Sequence, residues 1–116
     1  MLDHSPASLL AAVHEELYRS VASADSAYAR RALDEMCRHI ERATTILHGL
    51  RATLDFPSAG PTGRDLDEHY MRLLGLLNRC QHFSDVGKVF QTVMSEVRSM
   101  CVAFRKWPES VVSPAA

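Results

Sequence analysis

Six histidines and three cysteines are the residues of this chain whose chemistry could reach beyond packing. The histidines are His4, His14, His39, His48, His69 and His82. None sits in an H-E-x-x-H pattern, and no Glu-x-x-His occurs, so the ligand spacings of zinc proteases and di-iron carboxylate bundles are absent. Glu35/His39 and Asp65/His69 are i,i+4 pairs on one helix face. Each supplies two ligands where a protein metal site needs three or more, and such pairs on a polar face are normally just solvated. Cys37, Cys80 and Cys101 are far apart, with no C-x-x-C and no basic cluster to favour a thiolate. They read as reduced, mostly buried apolar residues. No nucleophile elbow, phosphate-binding loop or dinucleotide glycine fingerprint is present. The expectation is a protein without catalytic residues, metal or cofactor.

The bulk numbers agree with a binding module. The chain has 116 residues, enough for one domain with its own core and no need of disulfides. It is 47% apolar and 23% charged, the proportions of a soluble globular domain. A formal net charge of -1 gives no electrostatic reason to bind nucleic acid or an anionic membrane. No signal peptide is visible, and no apolar run approaches the roughly 20 residues of a membrane span. A cytoplasmic location is expected.

Four amphipathic helices must position whatever this protein uses. In Ala32 to Leu54, the residues Leu33, Met36, Ile40, Ala43, Leu47, Leu50 and Leu54 recur at steps of three and four, one face of a long helix. Asp34 four residues before Arg38 supports that helix. Before it, Ser5-Pro6 is a good helix start, and Leu9, Leu10, Val13, Leu17 and Val21 give a stripe to about Ala24. Asp25-Ser26 is a polar break. Pro57 disfavours helical geometry in Phe56, and residues 56–63 form a loop with two Pro and two Gly. Leu66, Tyr70, Leu73, Leu77 and Cys80 form a third stripe, with Asp65, Asp67 and Glu68 expected in its first turn. After Ser84 as a cap, Val86, Phe90, Val93, Val97, Met100 and Phe104 form a fourth, stopped by Trp107-Pro108. The predicted helices span about 6–24, 26–55, 63–81 and 84–106. They make an all-α, antiparallel up-and-down four-helix bundle over residues 1–107, with a flexible tail at 108–116.

Some stripes are wider than a small bundle needs. Met71, Leu74 and Leu76 lie at or beyond the edge of the third, Val89, Met94, Cys101 and Val102 flank the fourth, and Ile46 flanks the second. Either these helices touch more neighbours, or the surplus forms an apolar groove for a partner. Methionines suit a groove because they adapt to a partner's shape. An amphipathic helix or an extended apolar segment is the expected ligand. Met71, Leu74, Leu76, Met94 and Ile46 are the predicted contact residues.

Two family resemblances give these patterns a meaning. His48-Gly49-Leu50-Arg51-Ala52 resembles the His-x-Leu-Lys-Gly segment of histidine phosphotransfer domains, which are four-helix bundles carrying an exposed His. Here Lys is replaced by Arg51 and the Gly by Ala52. This resemblance makes phosphotransfer through His48 the alternative reading.

The second resemblance covers nearly the whole chain. Ser5-Pro6-Ala7-Ser8-Leu9-Leu10 resembles the Ser-Pro helix start of the flagellin-specific export chaperones of the bacterial flagellar secretion system. Leu17-Tyr18 is the nearest match to that family's Leu-Tyr pair, displaced by about two turns. Asp25 with Tyr28 to Leu33 resembles the turn into its second helix, and Ile46-Leu47 through Leu54-Asp55-Phe56 is similar to the end of that helix. Leu66 through Asn78 resembles its third helix, with Tyr70 one place off, and Val97, Arg98 and Trp107 the end of its fourth.

The resemblance implies a cytoplasmic, non-enzymatic four-helix bundle. Such a chaperone binds the disordered C-terminal region of flagellin, prevents premature polymerisation and aids delivery to the export apparatus, whose components are further partners. The client wraps around the bundle and lays apolar side chains into surface grooves. The family carries an aromatic lid segment before the Ser-Pro, and here only Met1 to His4 precede it. The groove is then expected to be open, or covered by Trp107, Val111 and Val112. An open groove favours self-association, so a monomer or weak homodimer is expected.

Overall fold

Leu10, His14, Leu17, Val21, Ala24 and Ala27 follow one another at steps of three and four, and all six are buried. That spacing carries the first helix past Asp25-Ser26, which fall on its outer side. The computed structural model describes residues 6–53, 61–79 and 86–104. Its helices are α1 (Pro6–Ala29), α2 (Leu33–Thr53), α3 (Pro61–Arg79) and α4 (Val86–Phe104). The end predicted at Ala24 is therefore corrected: Ala24 and Ala27, with Tyr28 packed on the core, keep the helix going.

The turn is made at Arg30 to Ala32. Arg31 is left-handed, with φ 62°. The Ala32 N–H donates to Ala27 O at 2.8 Å and the Arg31 N–H to Tyr28 O at 3.0 Å, the paired bonds of a Schellman C-terminus. Glycine usually holds this position because a Cβ is strained there. Arg31 offsets part of that strain by placing its guanidinium 5.9 Å from the Tyr28 ring centroid.

The other stripes pack largely as their spacing predicts. Met36, Ile40, Ala43, Leu47 and Leu50 of α2 are buried, as are Leu66, Tyr70, Leu73 and Leu77 of α3. Val86, Phe90, Val93, Val97 and Met100 of α4 complete the core. Leu33 is exposed at the start of α2. In α1 the expected core residues Leu9 and Val13 instead face outward, 54% and 39% exposed. Burial follows Leu10 and His14, one position along, where His14 is held inside by Tyr70. Cys37, expected to be buried, is exposed on α2.

Pro61 is the first residue of α3, a position where its missing N–H costs nothing. The helix thus begins before the predicted residue 63, and its first turn holds no acid. Asp67 reaches across to α2 instead, accepting from Arg51 Nε at 2.7 Å. The Ser5 and Ser84 caps, the loop at 56–60, Leu54, Cys80, the Trp107-Pro108 stop and the tail at 108–116 lie outside the described residues.

The four helices form a ring in which α1 packs on α2 and α4, and α3 on α2 and α4. The pairs Asp25–Gln91 and Tyr18–Arg98 show α4 running antiparallel to α1. Tyr28 meets Phe90 edge-on at 6.3 Å across the same seam. Glu16–Arg42, together with the Arg30–Glu35 pair at the turn, shows the same for α2. Across the diagonal, His14 of α1 and Tyr70 of α3, both fully buried, are hydrogen-bonded at 2.7 Å.

The proton positions of that pair follow from elementary chemistry. His14 Nδ1 lies 2.8 Å from Leu10 O, which can only accept, so Nδ1 carries the hydrogen. In the neutral ring Nε2 is then an acceptor, and the Tyr70 hydroxyl donates to it. Burial lowers the His14 pKa to about 4, the Leu10 carbonyl opposes that shift, and His69 adds to it. Burial, with the nearby Cys101, holds the Tyr70 phenol above its ordinary range.

Replacing Arg31 by Gly should raise stability by about 0.5–1 kcal/mol, read from the denaturant midpoint, because the left-handed strain disappears. The His14 imidazole takes up a proton near pH 6.5 when unfolded and only near pH 4 when folded. Between those values the unfolded chain binds more protons, so this contribution is intact above the window and lost as pH falls through it. The slope is up to about 1.4 kcal/mol per pH unit. Denaturant unfolding across that range should show it, and His14→Gln should flatten it.

Candidate functional site

The five predicted contact residues are spread over the four seams of the ring. Met71 and Leu74 follow Asp67 at four and seven residues, on the side of α3 that meets α2. Leu76 follows His69 and Arg72, whose partner Glu96 belongs to α4. Met94 lies with Tyr18 and Arg98 between α4 and α1. Ile46 follows Arg42 by four residues, on the edge of α2 that meets α1. Leu74 is a core residue, while Ile46, Leu76 and Met94 are partly buried against the core. Met71 is 51% exposed. The fold therefore distributes these side chains around the bundle and gathers no single groove from them.

The seam between α1 and α4 holds two adjoining clefts of about 220 and 200 Å³. Tyr18 and Arg98 line both. Arg98 donates to the Tyr18 hydroxyl at 2.9 Å and lies 4.9 Å from its ring centroid. Glu15, Arg19 and Cys101 complete one cleft, and Gln91, Met94 and Ser95 the other. The arrangement offers an aromatic face, a thioether and a guanidinium side by side, which suits an extended chain of mixed character.

Ion pairs hold the other seams. Arg51 is tied to Asp67, and that bond raises the Arg51 pKa. Arg72 reaches Glu96 at 2.7 Å. His69 Nε2 and Glu96 Oε2 lie 3.9 Å apart, both buried, too long for a hydrogen bond. At the turn, the hydrogen bond from Arg30, and then its charge, hold Glu35 below the usual carboxylate range.

The sequence reading missed two features of this surface. Leu9 and Val13, expected in the core, are among the exposed large apolar side chains of the described residues. Their i,i+4 spacing parallels that of Leu10 and His14, and the signal that separates the two sets is His14 itself, which completes the inward repeat. The Tyr18–Arg98 contact joins residues 80 positions apart in sequence and had no local signal.

The arrangement around His48 lends the phosphotransfer reading no support beyond an exposed imidazole. His48 is exposed on α2, and Arg51, the cation expected to steady a phosphoryl group, is engaged by Asp67. Among the described residues no group of three or more His, Cys, Asp or Glu comes together to hold a metal. No described helix is long and apolar enough to cross a membrane.

A family model described as "Flagellar protein FliS" matches residues 1–107. No curated protein matches the chain. The matched span takes in all four helices, their seams and the buried His14–Tyr70 pair. This chain belongs to the FliS family of flagellar export chaperones.

Proposed function

We propose that this protein binds the disordered C-terminal region of flagellin in the cytoplasm, holds it from polymerising and presents it to the export apparatus. The observation that carries this reading is the placement of apolar side chains in a chain of an export chaperone family. Met71, Leu76, Met94 and Ile46 stand at the surface or just beneath it on four different seams. One compact ligand cannot touch all four. An extended polypeptide wrapped around the bundle can, with side chains inserted at each seam in turn. Leu74, lying in the core, supports these contacts from below.

The energetics follow from the client's disorder. Ordering it costs about 2–5 kcal/mol or more of the gross interaction energy. Several modest apolar contacts must offset that cost, so affinity declines in steps as seams are lost and does not collapse with one. The chaperone has no chemistry to perform: it acts by occupying surface that flagellin subunits would otherwise offer to one another.

Titration calorimetry of the purified protein against the C-terminal region of flagellin tests the reading. Binding with a strongly negative heat-capacity change, the mark of apolar burial, is expected. Absence of binding overturns it. Met71→Asp changes an exposed position, so helicity should persist while affinity falls by roughly threefold to tenfold, about 0.7–1.4 kcal/mol. An unchanged affinity would remove Met71 from the contact surface.

A further inference from the structure

The seam between α1 and α2 carries a second kind of recognition. Glu16, Arg19, Ser20 and Ser23 of α1, with His39 and Arg42 of α2, line a polar cleft of about 260 Å³. Arg42 Nη2 bonds Glu16 Oε1 at 2.7 Å, and Arg19 Nη1 lies 3.5 Å from Glu16 Oε2. One carboxylate is thus shared between two guanidiniums, leaving a local excess of positive charge on a chain whose formal net charge is -1. His39 adds ring nitrogens to the same cleft. Each guanidinium carries five N–H donors, more than one shared carboxylate can engage. The guanidinium side chains are 71% and 62% exposed, so both can turn toward a ligand.

Next to this cleft the same seam is apolar. Leu9, Val13 and Glu16 share one edge of α1, at steps of four and three. Because α2 runs antiparallel, Ile46 stands four residues past Arg42 at the level of Val13 and Leu9. The seam therefore reads, along α1, as an apolar stretch followed by a basic cleft. From Val13 to Arg19 the helix rises about 9 Å, at about 1.5 Å per residue. An extended chain covers that distance in about three residues at about 3.3 Å each.

We infer that this seam docks an extended client segment in which an apolar side chain and a carboxylate stand about three residues apart. The apolar side chain lies over Leu9, Val13 and Ile46. The carboxylate is taken by Arg42 and Arg19 in fork geometry, as a second acceptor beside Glu16. Charge complementarity selects the occupant: an anionic polypeptide fits this cleft, and a cationic one meets two guanidiniums. The inference rests on the chaperone reading and adds a specific anchor and spacing to it.

The test uses the full-length protein and the C-terminal region of flagellin, titrated at about 0.05 M and about 0.5 M salt. Two double variants are compared with the wild type, Arg19→Gln with Arg42→Gln, and Leu9→Ser with Val13→Ser. All four positions are exposed, and circular dichroism of each variant checks that helicity is kept. Each variant is expected to weaken binding by roughly threefold to tenfold, and the arginine variant to flatten the salt dependence. A client with its carboxylates replaced by amides should lose affinity for the wild type and lose little more for the arginine variant. If the wild type binds and either double variant binds equally well, the seam inference is overturned while the chaperone reading stands. If the wild type itself fails to bind, the chaperone reading falls and takes the inference with it.

Discussion

The hydrogen bond between His14 and Tyr70 is the constraint around which the rest of the bundle is arranged. Helices α1 and α3 sit on a diagonal of the ring, and the buried imidazole and phenol join them there. Each group, without the other, would lack this bond in a medium where an unpaired polar atom costs about 1–3 kcal/mol. The pair therefore fixes the axial register of α3 against α1. The two proton positions are forced as well, since Leu10 O accepts from one ring nitrogen and Tyr70 donates to the other.

Register has consequences for the surface. With α1 rotated to bury Leu10 and His14, Leu9 and Val13 face outward. With α3 set against α1, Asp67 falls within reach of Arg51, and His69 and Arg72 within reach of Glu96. The ion pairs at the seams do little for stability where they are exposed, since such pairs contribute at most about 1 kcal/mol. They do set which stretches of each seam are polar and which remain apolar. The outward pattern of the seams thus follows from the register of the buried faces.

Much of this was legible in the residues. Helices α2 and α4 follow strict three-and-four repeats of Ile, Leu, Val and Met, so their buried faces could be read directly. Helix α1 was read less well, because two overlapping repeats compete there: Leu9–Val13 is purely apolar, and Leu10–His14 contains a histidine. A hydrophobicity rule prefers the first. The bundle takes the second because a phenol waits across the diagonal, information that lies 56 residues away in the chain. The end of α1 was misplaced for a related reason. Asp25 and Ser26 look like a break when read locally, but they lie on the outer side while Ala24 and Ala27 are buried inside. The predicted contact residues were read as surplus to the stripes; Met71 is exposed, Ile46, Leu76 and Met94 are partly buried, and Leu74 belongs to the core. Their assignment to a common groove did not follow, because one helix's stripe edge cannot reveal which neighbour it faces.

A distributed surface also accounts for the shallow clefts. A rigid ligand favours one deep pocket that removes most of its surface from water. A disordered chain that is to be kept soluble and then released gains more from several weak seams, each of which can open alone. The fold supplies that arrangement at no extra cost, since a four-helix ring has as many outward seams as helices. What distinguishes one seam from the next is its local chemistry: a tyrosine and a guanidinium on one, a thioether beside an ion pair on another. Such differences order an extended chain along the bundle, because an apolar side chain placed over a guanidinium forfeits its burial, and a carboxylate placed over leucine forfeits its hydration.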